Sequence, residues 1–471
     1  MRDPLAATPF IVGAVQTQLS DYCDGIPAVG AVARARLYPS DGAKRPAAPF
    51  PKLALSATGI IELAWPFCPS CGRKLAKGGI NQRTLVLDKG HAPAVNGIQR
   101  YRCAVHGEVA VDLSAWVPSG ATYADNFRRR TCRLVGHGHT PADVRRIFLD
   151  CYDRSPSVSS IRTWARQAAE AAGAVIRATS IPASGFFGYD EIHLRVNGKK
   201  GFALTITDLH TDFCPPADYS PALNRSTVKA FFNGIKHILP SPMAGLVVDG
   251  SNNFRDLFRT RGFDQIAVQR CQTHYKKNLN EKIYEAAGMG KKLKDPLPPP
   301  YDRVKRELFV PFKRSTGLRA EIQVVVADGR LRGKVSPAVD ALLDDLVAHA
   351  PALFRYHDET RLQRTNNRDE CWNSELERYP SLKTQMKTDA GVRRVLDAAT
   401  FLHNWNAFVN YIREMEARIE KLRSFLKADS RNRDLKPELQ GAIVHLRYVR
   451  QWQARYAEVY DQYYKVLPDP F

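Results

Sequence analysis

The hydrophobic pattern changes period along the chain, and the changes mark out its elements. Ile60–Trp65 and Ile98–Arg102 are strand-like runs, Phe186–Ile192 is aromatic and β-rich, and Phe202–Asp208 alternates apolar with small or polar residues, which predicts strands. Asn197-Gly198 joins the last two of these runs into a hairpin. Leu246, Val247 and Val248 form a short buried strand that stops on Asp249-Gly250, and Ile266–Val268 form another. Between them Phe254, Leu257 and Phe258 fall on one helical face. Spacings of three and four predict helices over Asp125–Val135, from Thr140-Pro141 through Cys151, from Ser157 or Ser159 through Ala168, and over Ser226–Leu239. Further helices are expected near Tyr301–Lys313 and Val335–Ala350, beyond a proline cluster at Pro296–Pro300. A long helix over Val392–Leu426 carries the stripe Leu402, Trp405, Val409, Ile412, Met415, Ile419, Leu422 and Leu426. A second helix, Pro437–Val466, returns after a turn near Ser430–Lys436, and the pair is expected to pack on the core. The order over 185–281 is strand, strand, strand, helix, strand, helix, strand. The stretch Asp24–Pro51, rich in Pro, Ala and Gly, predicts loop.

Composition narrows the partners. Lys and Arg number 69 against 48 acids among 471 residues, a net charge of +21, which points to a polyanion and above all to nucleic acid. No apolar run reaches the ~18 residues of a membrane span. Pro9–Val15 is short, follows Asp3, and is expected to be a strand and not a signal peptide. Nine cysteines without a secretion signal favour reduced cytosol, with thiols used for metal or packing.

Four of the candidate ligands stand in paired knuckles. Cys68-Pro-Ser-Cys71 and Cys103-Ala-Val-His106 share a two-residue gap, which suits a closed structural zinc site and resembles a zinc ribbon. The polar segment Leu75–Asn96 between them is expected to be a loop. The three helices of 120–178 have a helix-turn-helix pattern, in which Ser160, Arg162, Thr163 and Arg166, with Arg145 on the preceding helix, would face DNA; a plain helical connector is the alternative.

Asp190 lies within a strand on the face of Ile192 and Leu194, where a carboxylate is costly unless it meets a cation or a donor. Asp249 ends a buried strand, although a carboxylate there can simply cap the next helix. Glu370 follows Thr365-Asn366-Asn367 at the start of a helix. It would also serve as the third-position glutamate of a capping box on Asn367, and Asp369 and Glu375 are rival acids.

Asp249-Gly250, then Cys271-x-x-His274 and Asn278, then Thr365-Asn-Asn-x-x-Glu370 and Asn373, taken in this order, resemble the RNase H-like DDE transposases of the Mutator-like superfamily and their bacterial insertion-sequence relatives. The likeness spans about residues 185–412. Together with the residues read above, the expected chain is α/β multidomain: an N-terminal β/loop segment (1–65), a zinc ribbon (66–115) and a helix-turn-helix (120–178). An RNase H-like core would follow in two parts (185–281 and 361–412) around a helical insertion (282–360), then a C-terminal helical hairpin (413–471). The likeness implies Asp190, Asp249 and Glu370 as the catalytic acids holding Mg²⁺ or Mn²⁺, with zinc structural, and Cys271 and His274 fixing the end of the last core strand. The implied activity is metal-dependent cleavage and strand transfer on transposon ends and target DNA by a dimer or larger oligomer. The setting would be a bacterial or archaeal cytoplasm, at the nucleoid. A zinc-ribbon and helix-turn-helix regulator, or a domesticated nuclease on the same core, is the competing reading. Asp208, at the end of the second strand, is a rival for the first acid.

Overall fold

The computed structural model describes residues 53–86, 95–113, 116–117, 121–250, 263–290, 295–313, 319–384, 386–428 and 435–466. The expected strand Pro9–Val15, the loop Asp24–Pro51 and the helix around Phe254–Phe258 lie outside them. The chain is mixed α/β with two mixed sheets. It divides into two units. One holds the described part of Met1–Ala124 with Ile147–Ser155; the other holds Asp125–Arg146 and the described part of Pro156–Leu467.

The first sheet contains β1 (Leu53–Leu55), β2 (Ile60–Leu63), β3 (Ala76–Leu85), β4 (Val95–Cys103) and β5 (Gly107–Val109), in the order β1-β2-β4-β3 with β5 also on β4. β3 corrects the expected loop over Leu75–Asn96. Its side chains are almost all exposed, so it lacks the alternation that marks a strand, and backbone pairing with β4 holds it instead. Cys68, Leu75, Tyr101 and Cys103 form a small buried core in this unit.

The second unit contains α1 (Asp125–Gly136), the first residues of α2 (Pro141–Tyr152) and α3 (Val158–Ala178). Thr140 Oγ1 caps α2 by accepting from Asp143 N, and Ser157 Oγ caps α3 by accepting from Ser160 N at 3.1 Å. Arg128 and Arg129 of α1 bind Asp125, and Arg129 donates to carbonyls near the end of the chain.

The large sheet follows: β6 (Phe186–Val196), β7 (Lys199–Asp208), β8 (Asp218–Ser220), then α4 (Arg225–Ile235), β9 (Gly245–Val248) and β10 (Ala267–Arg270). Its order is β10-β9-β6-β7-β8. β6, β7 and β8 are antiparallel, while β9 and β10 run parallel to β6. Asn197 and Gly198, at φ 49° and 77°, make the two-residue turn of the β6–β7 hairpin. On one face Phe187, Tyr189, Leu204 and Ile206 pack on Phe231 and Phe232 of α4. On the other, Ile192, Leu194 and Val196 meet Trp372, Leu376 and Leu396 from later helices. Each such fully buried side chain contributes ~1.5–3 kcal/mol.

α5 (Gln272–Ala286) leads into α6 (Pro299–Phe309), α7 (Ala320–Leu331) and α8 (Pro337–Leu353). Tyr275, Leu279, Val304, Val324 and Leu343 give this helical segment its own core. α7 goes beyond the sequence expectation; its Ile322, Val325 and Val326 are exposed, so no clean apolar face marks it. The chain then returns to the sheet as α9 (Asn367–Glu377) and the short α10 (Pro380–Thr384).

α11 (Asp389–Ala428) and α12 (Leu435–Tyr463) form the expected hairpin, packed on α3 and the sheet side. The stripe holds at Leu402, Met415, Ile419 and Leu422. It fails at Val409, which is exposed, because the first half of α11 is covered from several sides and buries Phe401, Asn404 and Phe408 instead.

Candidate functional site

Two groups of side chains among the described residues bring metal-ligating atoms within 4.8 Å of one another: Cys68, Cys71, Cys103 and His106 in one, Cys271, His274 and Glu370 in the other. The first arises from two knuckles. Cys68 N donates to Arg73 O and Gly72 N to Cys68 O, which folds Pro69–Gly72 into a tight turn with Gly72 at φ 71°. Cys103 closes β4, and Gly107 at φ 78° opens β5. Cys68 Sγ lies 3.6 Å from His106 Nδ1, Cys71 Sγ 3.6 Å from Cys103 Sγ, and Cys103 Sγ 3.7 Å from His106 Nδ1. Zinc bonds of ~2.0–2.3 Å at tetrahedral angles separate ligands by roughly 3.3–3.8 Å, so the four atoms fit one zinc. Backbone N–H groups of His106 and Val105 hold the Cys103 thiol down to about 7, and Cys68 is also lowered, by the Cys71 N–H first, so these two favour the thiolate that a metal needs, while Cys71 is raised, the Arg73 N–H being outweighed by burial and the neighbouring thiols.

The second group stands just past the end of β10, on α5 and α9, and the aspartates of the large sheet lie near it. β6 and β9 are parallel with Gly188 opposite Val247, so Asp190 and Asp249 each follow two residues beyond that pair. The repulsion between them appears in Asp190, whose carboxyl is pushed above its usual range by burial first and by Asp249 after it. Gly250 turns the chain away at φ +90°; a Cβ there would come within 2.3 Å of Arg270 Nε. Burial, Asp249 and Asp190 push Glu191 up to about 8. The pair Asp190-Glu191 thus supplies a carboxyl that the pattern of the sequence did not single out.

Glu370 sits in the first turn of α9, and its Oε1 lies 3.6 Å from His274 Nδ1 and 3.8 Å from Cys271 Sγ. The capping-box alternative does not form: α9 starts at Asn367, and its cap residue Asn366 makes no side-chain cap bond. The Cys271 sulfur beside it, then Glu370 and Asp190, raise His274 to about 9 against its burial. The three acids predicted as a catalytic set are not themselves within mutual ligand distance; Glu370 faces the Cys-His pair, with His274 close enough to Asp190 to bias its charge.

The rival acids have other partners. Asp208 is fully buried and accepts from Ser184 N and Oγ, His210 N and Thr211 N at 2.6–2.9 Å, so it ties the loop after β7. Asp369 is fully buried and accepts from Thr207 Oγ1. Asn373, one turn on, accepts from Thr205 Oγ1 at 2.7 Å. Arg145, Arg162, Thr163 and Arg166 are all exposed.

No family model matches the chain, and no curated protein matches it. Among the described residues no helix is long and apolar enough to cross a membrane.

Proposed function

We propose that this chain is a DNA transposase of the DDE type, similar to the Mutator-like superfamily, with an RNase H-like core that cleaves DNA and transfers strands at the ends of a mobile element. The observation that carries the reading is the pairing of β6 with β9. It supports the reading because Asp190 on β6 and Asp249, just past the end of the neighbouring parallel β9, each stand two residues beyond the Gly188–Val247 pair, and Glu370 of α9 and Asp190 both act on His274.

The oxygen donors of Asp190 and Asp249 suit a hard divalent ion such as Mg²⁺, and their mutual repulsion would be relieved by one. Drawn together from the separate positions they have without metal, Asp190, Asp249 and Glu370 would hold a pair of such ions, which would supply activation of the attacking hydroxyl and stabilisation of the leaving oxygen. The protein's own groups prepare the site. The Glu191 N–H donates to Asp190 Oδ1 at 2.9 Å and orients it. The charges of Glu370 and Asp190 favour the protonated form of His274, which would offset part of theirs. In this reading the four-ligand knuckle site is a zinc ribbon, and α1–α3 form a helix-turn-helix that offers Arg162, Thr163 and Arg166 to DNA, with Arg145 beside them. The charge of +21 fits a DNA partner and assembly on it as a dimer or larger oligomer.

The test is a strand-transfer assay with labelled duplexes taken from the DNA flanking the gene. Expected is Mg²⁺- or Mn²⁺-dependent nicking at a fixed position, followed by joining to target DNA. Cleavage without joining would leave a nuclease on the same core. Tight binding with no cleavage under either ion would leave a DNA-binding regulator.

A further inference from the structure

We propose that Cys271, His274 and Glu370 form a second metal site, selective for zinc or a similar borderline divalent ion over magnesium, and that an ion bound there engages Glu370. The binding claim stands on the three donors alone; its inhibitory consequence rests on the transposase reading above.

The donors come from two elements that the fold brings together. Cys271 directly follows β10, its N–H donating to Val248 O at 2.7 Å, and it is the residue before α5. His274 lies one turn on, so the two-residue gap of Cys-x-x-His turns both side chains to one side. Glu370 arrives from the first turn of α9, 99 residues later. The sulfur–oxygen and nitrogen–oxygen separations, 3.8 and 3.6 Å, match those in the four-ligand site, 3.6–3.7 Å, and approach the tetrahedral zinc range of roughly 3.3–3.8 Å. His274 Nδ1 is buried and makes no close hydrogen bond; its neighbours are Glu370 Oε1 at 3.6 Å and the Cys271 sulfur, the two groups that would share the ion with it. The fourth side is left to a water or a further ligand, as in open zinc sites.

Donor chemistry sets the selectivity. Sulfur and imidazole nitrogen favour zinc, whereas magnesium prefers an all-oxygen set and keeps its waters. Asp190 and Asp249 therefore suit one ion and the Cys-His-Glu group another, with Glu370 wanted by both. Zinc at the second site competes for a carboxylate that magnesium chemistry needs.

The experiment uses the full chain, stripped with chelator under reducing conditions, reloaded with zinc and counted by elemental analysis. About two zinc ions per chain are expected, one for each ligand set. Cys271→Ser, His274→Ala and Glu370→Gln should each bring the count to about one, with the circular-dichroism spectrum unchanged. Cys68→Ser should also lose one ion, from the other site. Cys371→Ser, which removes the exposed thiol next to Glu370, should keep both. Cobalt added to protein holding one zinc should give a sulfur-to-cobalt charge-transfer band that Cys271→Ser abolishes. A wild-type count of one, or counts that the Cys271 and His274 variants leave unchanged, would overturn the site. Where DNA cleavage is measured, zinc equal to the protein should suppress the magnesium reaction at least tenfold. Two bound zinc ions in a chain that cleaves no DNA would support the site and sink the transposase reading alone.

Discussion

Thr207 Oγ1 donates to Asp369 Oδ1 at 2.8 Å, and neither residue has any exposure to solvent. The bond belongs to a polar seam between α9 and β7. Asn373, one turn along, accepts from Thr205 Oγ1, which also reaches Asp190 O. The seam is possible because Gly188 on β6 has no side chain: a Cβ there would meet those of Asn366 and Asp369 at 3.2 Å. Apolar contacts alone let a helix slide or roll; these directional bonds fix which residue of the first turn faces Cys271 and His274. Burial first, then Asp190, raises the Asp369 carboxyl well above its usual range. Thr207→Val should cost about 1–3 kcal/mol in urea unfolding because it strands a buried carboxyl oxygen, while Thr207→Ser should cost far less. Equal stability of the two variants would mean that Asp369 finds another donor.

Asp208 has the opposite task from Asp190, though both are strand aspartates. It collects N–H and O–H donors from Ser184, His210 and Thr211. Asp208→Asn replaces one acceptor oxygen with a donor facing those groups, and should lower stability by about 1–3 kcal/mol. The same change at Asp190, whose carboxyl is already raised by burial and by Asp249, should leave stability equal or higher. Chemical denaturation of the two variants separates the roles; the reverse order of effects would refute them.

What was readable in the sequence was local. The knuckle cysteines, the Asn197-Gly198 turn, the caps at Thr140 and Ser157, and the strand that ends on Asp249 each depend on residues within a few positions. What was not readable depends on register between distant segments. Glu370 faces Cys271 across 99 residues, and Thr207 meets Asp369 across 162. β3 was hidden by its exposed polar side chains, and Val409 was misplaced because the burying surroundings of α11 change along its length. The Cys-His pair was expected only to fix the end of the strand; the third donor from α9 is what makes it a ligand set.

His137, just past the end of α1, is held down to about 4 by burial, with Arg133 and His139 adding repulsion. In the unfolded chain its pKa is near 6.5. Between those values the unfolded state binds the extra proton, so stability falls as pH drops from about 6.5 toward 4 and this contribution is fully present above that window. His137→Gln should flatten the dependence of unfolding free energy on pH over pH 4–6.5 without changing it at pH 8. An unchanged acid slope would show that other groups govern it.

The exposed arginines of α3 test the DNA reading independently of catalysis. Arg162 and Arg166 lie four residues apart and share one face of α3. If they read base edges, Arg162→Ala and Arg166→Ala should each weaken binding to the element's ends by ~1–3 kcal/mol and random DNA by less. Equal losses on both, with a shallower salt dependence, would mean contact with phosphate alone.

The carboxylates give the sharpest prediction. Asp190→Asn, Asp249→Asn and Glu370→Gln keep the size of each side chain and remove its charge. Each should abolish magnesium-dependent cleavage and strand transfer while DNA affinity and the knuckle zinc persist, since the first depends on exposed arginines and the second on Cys68, Cys71, Cys103 and His106. Glu191→Gln should be milder. Burial and its neighbours hold that carboxyl up to about 8, so near pH 7 it is mostly neutral already and the amide mimics it. The comparison of Asp190 with Glu191 is therefore the decisive one, because the two are adjacent on one strand and point to opposite faces. Full activity in Asp190→Asn with loss in Glu191→Gln would move the first acid by one residue. Full activity in all four variants would end the nuclease reading.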